Sequence, residues 1–191
     1  MERNRRVAKA YARSPILTIN GCDNGFDGHN IGLAGFTNPW RDKRVSELKK
    51  EIDQGVKFRM DGEGNLLIKK STKSDVFIVS DTSLHRNDLL QNSSKNKQFC
   101  KLDSRKPSIL FDMQQFQGEL AHEMRSITPN TRSLEQQCFK FISFGKLSDE
   151  LLNTPVWVIV INLVALEMIV KVLPNKLFGM FYHSFFSFIF N

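Results

Sequence analysis

Cysteine is scarce in this chain: Cys22, Cys100 and Cys138 are the only three among 191 residues, and no two stand at CxxC spacing. An odd number of widely separated thiols, with no secretory signal, excludes a disulfide framework and points to reduced cysteines in the cytoplasm or nucleus. Glycine and proline are also few, at 11 and 6, which excludes collagen-like and low-complexity chains. Histidine is too dispersed for a helical metal site, because His29, His85, His122 and His183 form no pair at i, i+3 or i, i+4, the spacing that sets two imidazoles on one face. Asp61-Gly62-Glu63-Gly64-Asn65 starts like a calcium loop, but Leu66 stands where that loop turns on glycine and Thr72 where it needs a bidentate glutamate. The stretch reads as a hairpin turn.

Catalytic signatures are missing too. There is no GxxxxGK[ST] phosphate loop, no GxGxxG after a strand and no GxSxG elbow, so neither nucleotide chemistry nor a strained serine nucleophile is indicated. Glu119 and Glu123 lie one helical turn apart, a spacing that makes a charged face more readily than an acid and base pair. Neither enzyme activity nor a cofactor is expected. Long apolar runs are likewise absent: Trp157–Val170 is broken by Asn162 and Glu167, and the Phe-rich Leu177–Phe190 is separated from it by Lys171, Pro174, Asn175 and Lys176. Each falls short of the roughly 18–20 apolar residues that span a bilayer.

What is present is the composition of one globular domain, with 41% hydrophobic and 25% charged residues, long enough to bury a sizeable core. The net charge of +7 is lopsided: residues 1–107 carry 21 Lys+Arg against 13 Asp+Glu, and residues 108–191 carry 6 against 7. The basic half suits acidic or phosphorylated partners. Met1–Arg13 holds Arg3, Arg5, Arg6, Lys9 and Arg13 against Glu2 alone, with no apolar stretch behind it, and reads as a disordered basic tail rather than a signal peptide. Residues 1–31 as a whole read as a basic, irregular segment. Asn92-Ser93-Ser94 fits a glycosylation sequon, but without a secretory route it is a polar loop.

Hydrophobic spacing gives the elements. Val45, Leu48 and Ile52 mark a short amphipathic helix after Asp42, stopped by Gly55. Val56–Met60 and Leu66–Lys70 make a hairpin, and Asp75–Val79 a further strand. Residues 80–106 are polar and read as a long surface loop. Asp112 with Gln115 three residues on resembles a capping box before the helix lined by Met113, Phe116, Leu120 and Met124. Cys138–Phe144 and Val156–Leu163 read as strands, and Ala165, Met168, Ile169 and Val172 as a last helix before Pro174. Strands outnumber helices and do not alternate with them, which suggests an antiparallel β core with helices at its ends rather than a parallel doubly wound sheet.

Several blocks together resemble the C-terminal Mad-homology domain of the Smad signalling proteins. They are Gly35-Phe36-Thr37-Asn38-Pro39, Lys49–Val56, Lys73–Val79, Phe111–Met124, Leu134–Phe144 and Thr154-Pro155-Val156-Trp157 through Lys171-Val172-Leu173. The more specific are Cys138, Ser143 and Phe144 in an alternating strand, and the 17 residues from Trp157 to Leu173. The resemblance runs over residues 32–173, leaving 174–191 as a divergent Phe-rich tail. It implies a mainly β fold with helices, an antiparallel β-sandwich capped by a helical bundle, of the SMAD/FHA-like kind. It also implies a non-enzymatic protein-binding domain of signal transduction and transcription regulation, TGF-beta/BMP-type, that joins phosphoserine-bearing or acidic proteins as a homo- or hetero-oligomer in the cytoplasm and nucleus.

The departures shape the expected contacts. Gly145–Asn153 is shorter than the family's specificity loop and sets Lys146 against Asp149 and Glu150, too few cations by itself for a phosphoserine carrying about −1.5 to −2 charge. The receptor-phosphorylated Ser-x-Ser ending is replaced by phenylalanines, and Arg44 stands near the family's interface arginine. Nothing resembles the family's DNA-binding half, so direct sequence-specific DNA binding is not expected. Candidate partner contacts are Arg44, Lys95, Lys97, Lys101, Arg105, Lys106, Lys146, Asp149 and Glu150, with the 165–173 helix a further one that its apolar stripe assigns to the core. Two other readings are a cytoplasmic or cortical Smad-like scaffold in epithelia and a peripheral membrane protein held by the Phe-rich tail.

Overall fold

The computed structural model describes residues 1–80, 98–104, 106–148 and 151–173. A helix opens the legible part of the chain. In α1 (Lys43–Ile52) the Asp42 side chain accepts the Val45 N–H at 2.9 Å, and Val45, Leu48 and Ile52 are buried along one stripe. Gly55 ends the turn at φ 63°, with its Cα so close to the strand behind that a Cβ would sit 1.8 Å from the Ile19 carbonyl oxygen. The following hairpin, β3 (Val56–Met60) and β4 (Leu66–Lys70), is closed by Asp61. Its carboxylate accepts the backbone N–H groups of Glu63 and Asn65 at 3.0 and 2.9 Å. This is the expected hairpin turn, and the Asn65 side chain then caps the next helix by accepting the Met113 N–H at 2.9 Å.

Two sheets result. One has the order β2-β1-β3-β4-β7, with β1 at Ile16–Asn20, β2 at Asn30–Gly32 and β7 at Ser108–Phe111. The other has the order β6-β5-β8-β9, with β5 at Val76–Ser80, β6 at Gln98–Lys101, β8 at Phe139–Phe144 and β9 at Val156–Ile161. Neighbouring strands are antiparallel except β1 and β2, which run parallel with Thr18 opposite Asn30. Between the sheets Ile19, Val56, Phe58, Ile68 and Leu110 meet Val76, Ile78, Ile142, Phe144 and Val156, and α1 closes one end with Leu48 and Ile52.

The period-2 alternation of β8 serves two cores at once. Ile142 and Phe144 enter the sandwich, while Phe139 and Phe141 turn to the other face. There they pack with α2 (Met113–Arg125), α3 (Thr131–Gln137) and α4 (Leu163–Val172), three helices in mutual contact. Phe116, Leu134 and Ile169 are each no more than 1% exposed, and each contributes roughly 1.5–3 kcal/mol by leaving water. The expected sandwich with a helical bundle is present, and the stripe of α4 formed by Ala165, Leu166 and Ile169 belongs to this core. No helix among the described residues is long and apolar enough to cross a membrane.

Several elements differ from the sequence reading. Residues 1–31 are not simply irregular. They hold β1 and β2, and Glu2, expected in a disordered tail, is only 3% exposed and bridges Val156 on the outer edge of β9. A charged side chain is buried there because cations are waiting for it, which local composition cannot reveal. β6 lies inside the expected 80–106 loop. α3 is an unexpected helix whose N-cap is Asn130, its side chain accepting the Ser133 N–H at 3.1 Å. Of the expected capping box on α2 only half forms: Asp112 caps the Gln115 N–H at 2.8 Å, but the Gln115 side chain reaches forward to Glu119 instead of back. The 174–191 tail lies outside the described residues.

Candidate interaction cleft

A cleft of about 480 Å³ opens where the end of α1, the start of β5, β6 and the loop after β8 come together. Its lining is Glu51, Ser74, Asp75, Phe77, Phe99 and Gly145-Lys146-Leu147-Ser148. Backbone and hydroxyl bonds hold these walls. The Glu51 carbonyl accepts the Ser74 hydroxyl at 2.9 Å and the Thr72 hydroxyl at 3.3 Å, tying the β4–β5 turn to α1. Gly145 donates its N–H to the Asp75 carbonyl at 2.7 Å and sits at φ 71° with Leu48 directly beneath, so that a Cβ there would meet Leu48 Cδ1 at 2.7 Å. The buried Thr154 hydroxyl accepts the Ser148 N–H at 3.3 Å, steadying the far end of the segment.

The cleft is edged with opposite charges. Lys101 Nζ lies 2.8 Å from Asp75 Oδ1 and Lys70 Nζ lies 4.0 Å from the same oxygen, while Arg44 reaches Glu51 at 3.1 Å. The hydrogen bond from Lys101 holds the Asp75 carboxyl below its usual value. Of these cations Lys146 is part of the lining, Lys70 is buried with its side chain 9% exposed, and Arg44 and Lys101 stay outside the lining. Of the sequence candidates, then, Lys146 lines the cleft, and Arg44 and Lys101 are tied to it through Glu51 and Asp75. Lys106 is exposed just before β7 and outside the lining. Lys95, Lys97, Arg105, Asp149 and Glu150 fall outside the described residues.

Sequence reasoning missed Glu51, Lys70, Asp75, Phe77 and Phe99. The one signal for Phe99 was a lone aromatic inside a polar run. For the others the pairing of distant elements decides, and no spacing rule announces it.

A second charged cluster lies under the 33–41 segment and is closed to solvent. Glu2 accepts Arg41 at 2.9 Å and Asn38 at 2.6 Å and pairs with Lys49, whose Nζ also donates to the Leu33 carbonyl at 2.5 Å. Burial alone would raise the Glu2 carboxyl, and the bonds from Arg41, Lys49 and Asn38 outweigh it and hold it below its usual value. Burial conversely lowers the Lys49 ammonium, with Glu2 offsetting part of that. The Gly35–Pro39 block therefore has a structural task here, because Phe36 offers its carbonyl to Arg41 and Asn38 its amide to Glu2. Nearby, Trp157 donates its indole N–H to the Arg3 carbonyl at 2.8 Å.

Two facing sheets, a helical bundle over one of them and a charged, loop-lined cleft define a β-sandwich of the SMAD/FHA-like class. The MH2 domain family model matches residues 1–163, and the chain belongs to that family, the Smad C-terminal domains that bind other proteins. The match starts at residue 1 and so takes in β1 and β2 as well as the 32–163 portion. Among solved structures, the IAD domain of interferon regulatory factor 9 is similar at a TM-score of 0.61 and 14% identity, covering 92% of this chain and 86% of that one. At that identity the likeness speaks for the fold. No curated protein matches the sequence.

Proposed function

We propose that this protein-interaction domain acts in signal transduction and transcription regulation of the TGF-beta/BMP type, in cytoplasm and nucleus, by receiving acidic or phosphoserine-bearing segments of partner proteins in the cleft. The observation that carries this reading is a cleft lined by Lys146 whose two carboxylates, Glu51 and Asp75, are paired with the partly exposed cations Arg44 and Lys101. The loop from Gly145 is poor in cations, and α1 and β6 bring Arg44 and Lys101 to the carboxylates of the lining. A phosphoserine brings about −1.5 to −2 charge and three acceptor oxygens, and each bond it takes from a lysine contributes roughly 1.5–3 kcal/mol. Asp75 and Lys101, with side chains 46% and 58% exposed, form a pair that such a ligand displaces at little cost, since exposed ion pairs hold about 0–1 kcal/mol.

The test is fluorescence anisotropy with a ten-residue peptide carrying phosphoserine and with its unphosphorylated twin. The phosphopeptide is expected to bind the full chain at least tenfold more tightly, and the double variant Lys101→Glu/Lys146→Glu to lose that difference while unfolding at the parent temperature. Equal binding of both peptides to the parent chain sinks the reading. Reporter activation after nuclear import of the parent, but not of the double variant, tests the transcriptional part.

A further inference from the structure

The two outer edges of the second sheet are not alike. On β9 the edge is covered at its first end, where Glu2 bridges Val156 and Arg3 donates its N–H to the Pro155 carbonyl at 3.1 Å. On the opposite side β6 ends the order β6-β5-β8-β9, and among the described residues no strand pairs with its outer side. An unpaired strand edge presents a row of backbone donors and acceptors that templates a further strand. This edge also borders the cleft, because Phe99 is part of the lining and Lys101 holds Asp75 there.

The register says which side chains an added strand would meet. Phe99 stands opposite Val79 and Lys101 opposite Phe77, and directly opposed residues point to the same face. Val79 belongs to the core on the helix side of the sheet, whereas Val76 and Ile78 face the sandwich interior. Phe99, 44% exposed, and Lys101 therefore share the outward face and are two residues apart. A neighbouring strand lies about 4.8 Å away and sets its own alternate side chains opposite this pair.

We propose that the occupant of the cleft is an extended, acidic segment of a partner protein that adds as a strand to β6, with an apolar side chain on Phe99 and a phosphoserine or carboxylate two residues from it at Lys101, facing Lys146. Charge complementarity selects this occupant: Lys101 follows Phe99 by two residues and Lys146 shares the lining with it, and a strand is the conformation that places an apolar and an acidic group at that spacing. The inference rests on the acid-in-cleft reading above and adds the backbone mode of recognition.

The experiment keeps the protein intact and alters the peptide. Fluorescein-labelled ten-residue peptides with leucine and phosphoserine two residues apart are compared with versions carrying backbone N-methyl groups at alternate residues, in each of the two offsets, and with a version of three-residue spacing. One offset, whose amides face β6, is expected to bind at least tenfold more weakly and the other like the parent peptide, because a strand bonds through alternate residues. Three-residue spacing is expected to weaken binding at least fivefold, and Phe99→Ser to remove the preference for leucine. Both methylated offsets binding like the parent, with phosphate still required, overturns strand addition and leaves the acid-in-cleft reading standing. Loss of the phosphate requirement overturns both. Peptide binding that emerges only when residues 84–94 are deleted overturns a partner as occupant and assigns the edge to the chain's own segment.

Discussion

The two charged clusters of this molecule hold similar groups in opposite surroundings. Around Glu2 the side chains of Glu2 and Lys49 are 2% and 3% exposed. Around Asp75 those of Asp75 and Lys101 are 46% and 58% exposed. Charges taken out of water depend wholly on one another, so the first cluster is a fastener that tolerates no missing member. Charges left in water exchange partners freely, so the second is suited to recognition. Position in the fold, not residue type, separates the buried cluster from the exposed one.

The strongest way to break that comparison is Glu2→Ala, which strands Lys49 and Arg41 and is expected to cost about 3–5 kcal/mol in urea unfolding. The double variant Glu2→Leu/Lys49→Met should recover most of it, and a loss below about 1 kcal/mol in the single variant would show the cluster to be hydrated. Next comes Gly145→Ala, which places a methyl against Leu48 at a left-handed backbone position. It is expected to cost about 1–3 kcal/mol and to abolish cleft binding, showing that exposed charges still need a rigid seat.

Glu135 sharpens the comparison as a buried carboxylate whose neighbours do less for it. Burial pushes its carboxyl up to about 6, with Arg132 offsetting only part. The folded chain therefore holds a proton that the unfolded chain releases, and stability falls as pH rises from about 4.5 to 6. Glu135→Gln is expected to stabilise by roughly 1–2 kcal/mol at pH 7 and by nothing at pH 4. Glu2 has the opposite sign: its lowered carboxyl supports folding above the ordinary glutamate range, and that support fades as pH falls through its depressed value. Thermal melts across pH 3–8 separate the two. The smallest effect belongs to Lys101→Ala, expected to change stability by about 0–1 kcal/mol while weakening phosphopeptide binding.

How far the fold is legible in the sequence follows from where the information sits. α1, the β3–β4 hairpin, α2 and β8 carry strong periodicity and side-chain caps, and each forms where expected. β1, β2 and β6 are short, mixed in polarity and stabilised by the strands they pair with, so local pattern is weak there. α3 has seven residues and buries chiefly Leu134 and Glu135, too little for a 3.6-residue stripe. Of the cleft lining the sequence reading named only Lys146 as a candidate contact, and the meeting point was not legible, because Glu51, Asp75 and Phe99 reach it only through the folding of distant elements. Buried Glu2 was misread for a physical reason: its counter-charges are 39 to 47 positions away in sequence.

The contact between Arg3 and Trp157 also constrains the order of events at birth. Their hydrogen bond spans 154 positions, and at about 5–20 residues added per second the indole follows Arg3 from the ribosome by roughly 8 to 30 s. During that interval the residues around Arg3 have a destination that does not yet exist, and the first end of β9 can be covered only once Trp157 has been made. Completion of this domain is therefore a late step, in which an earlier-made segment locks against one made 154 positions after it.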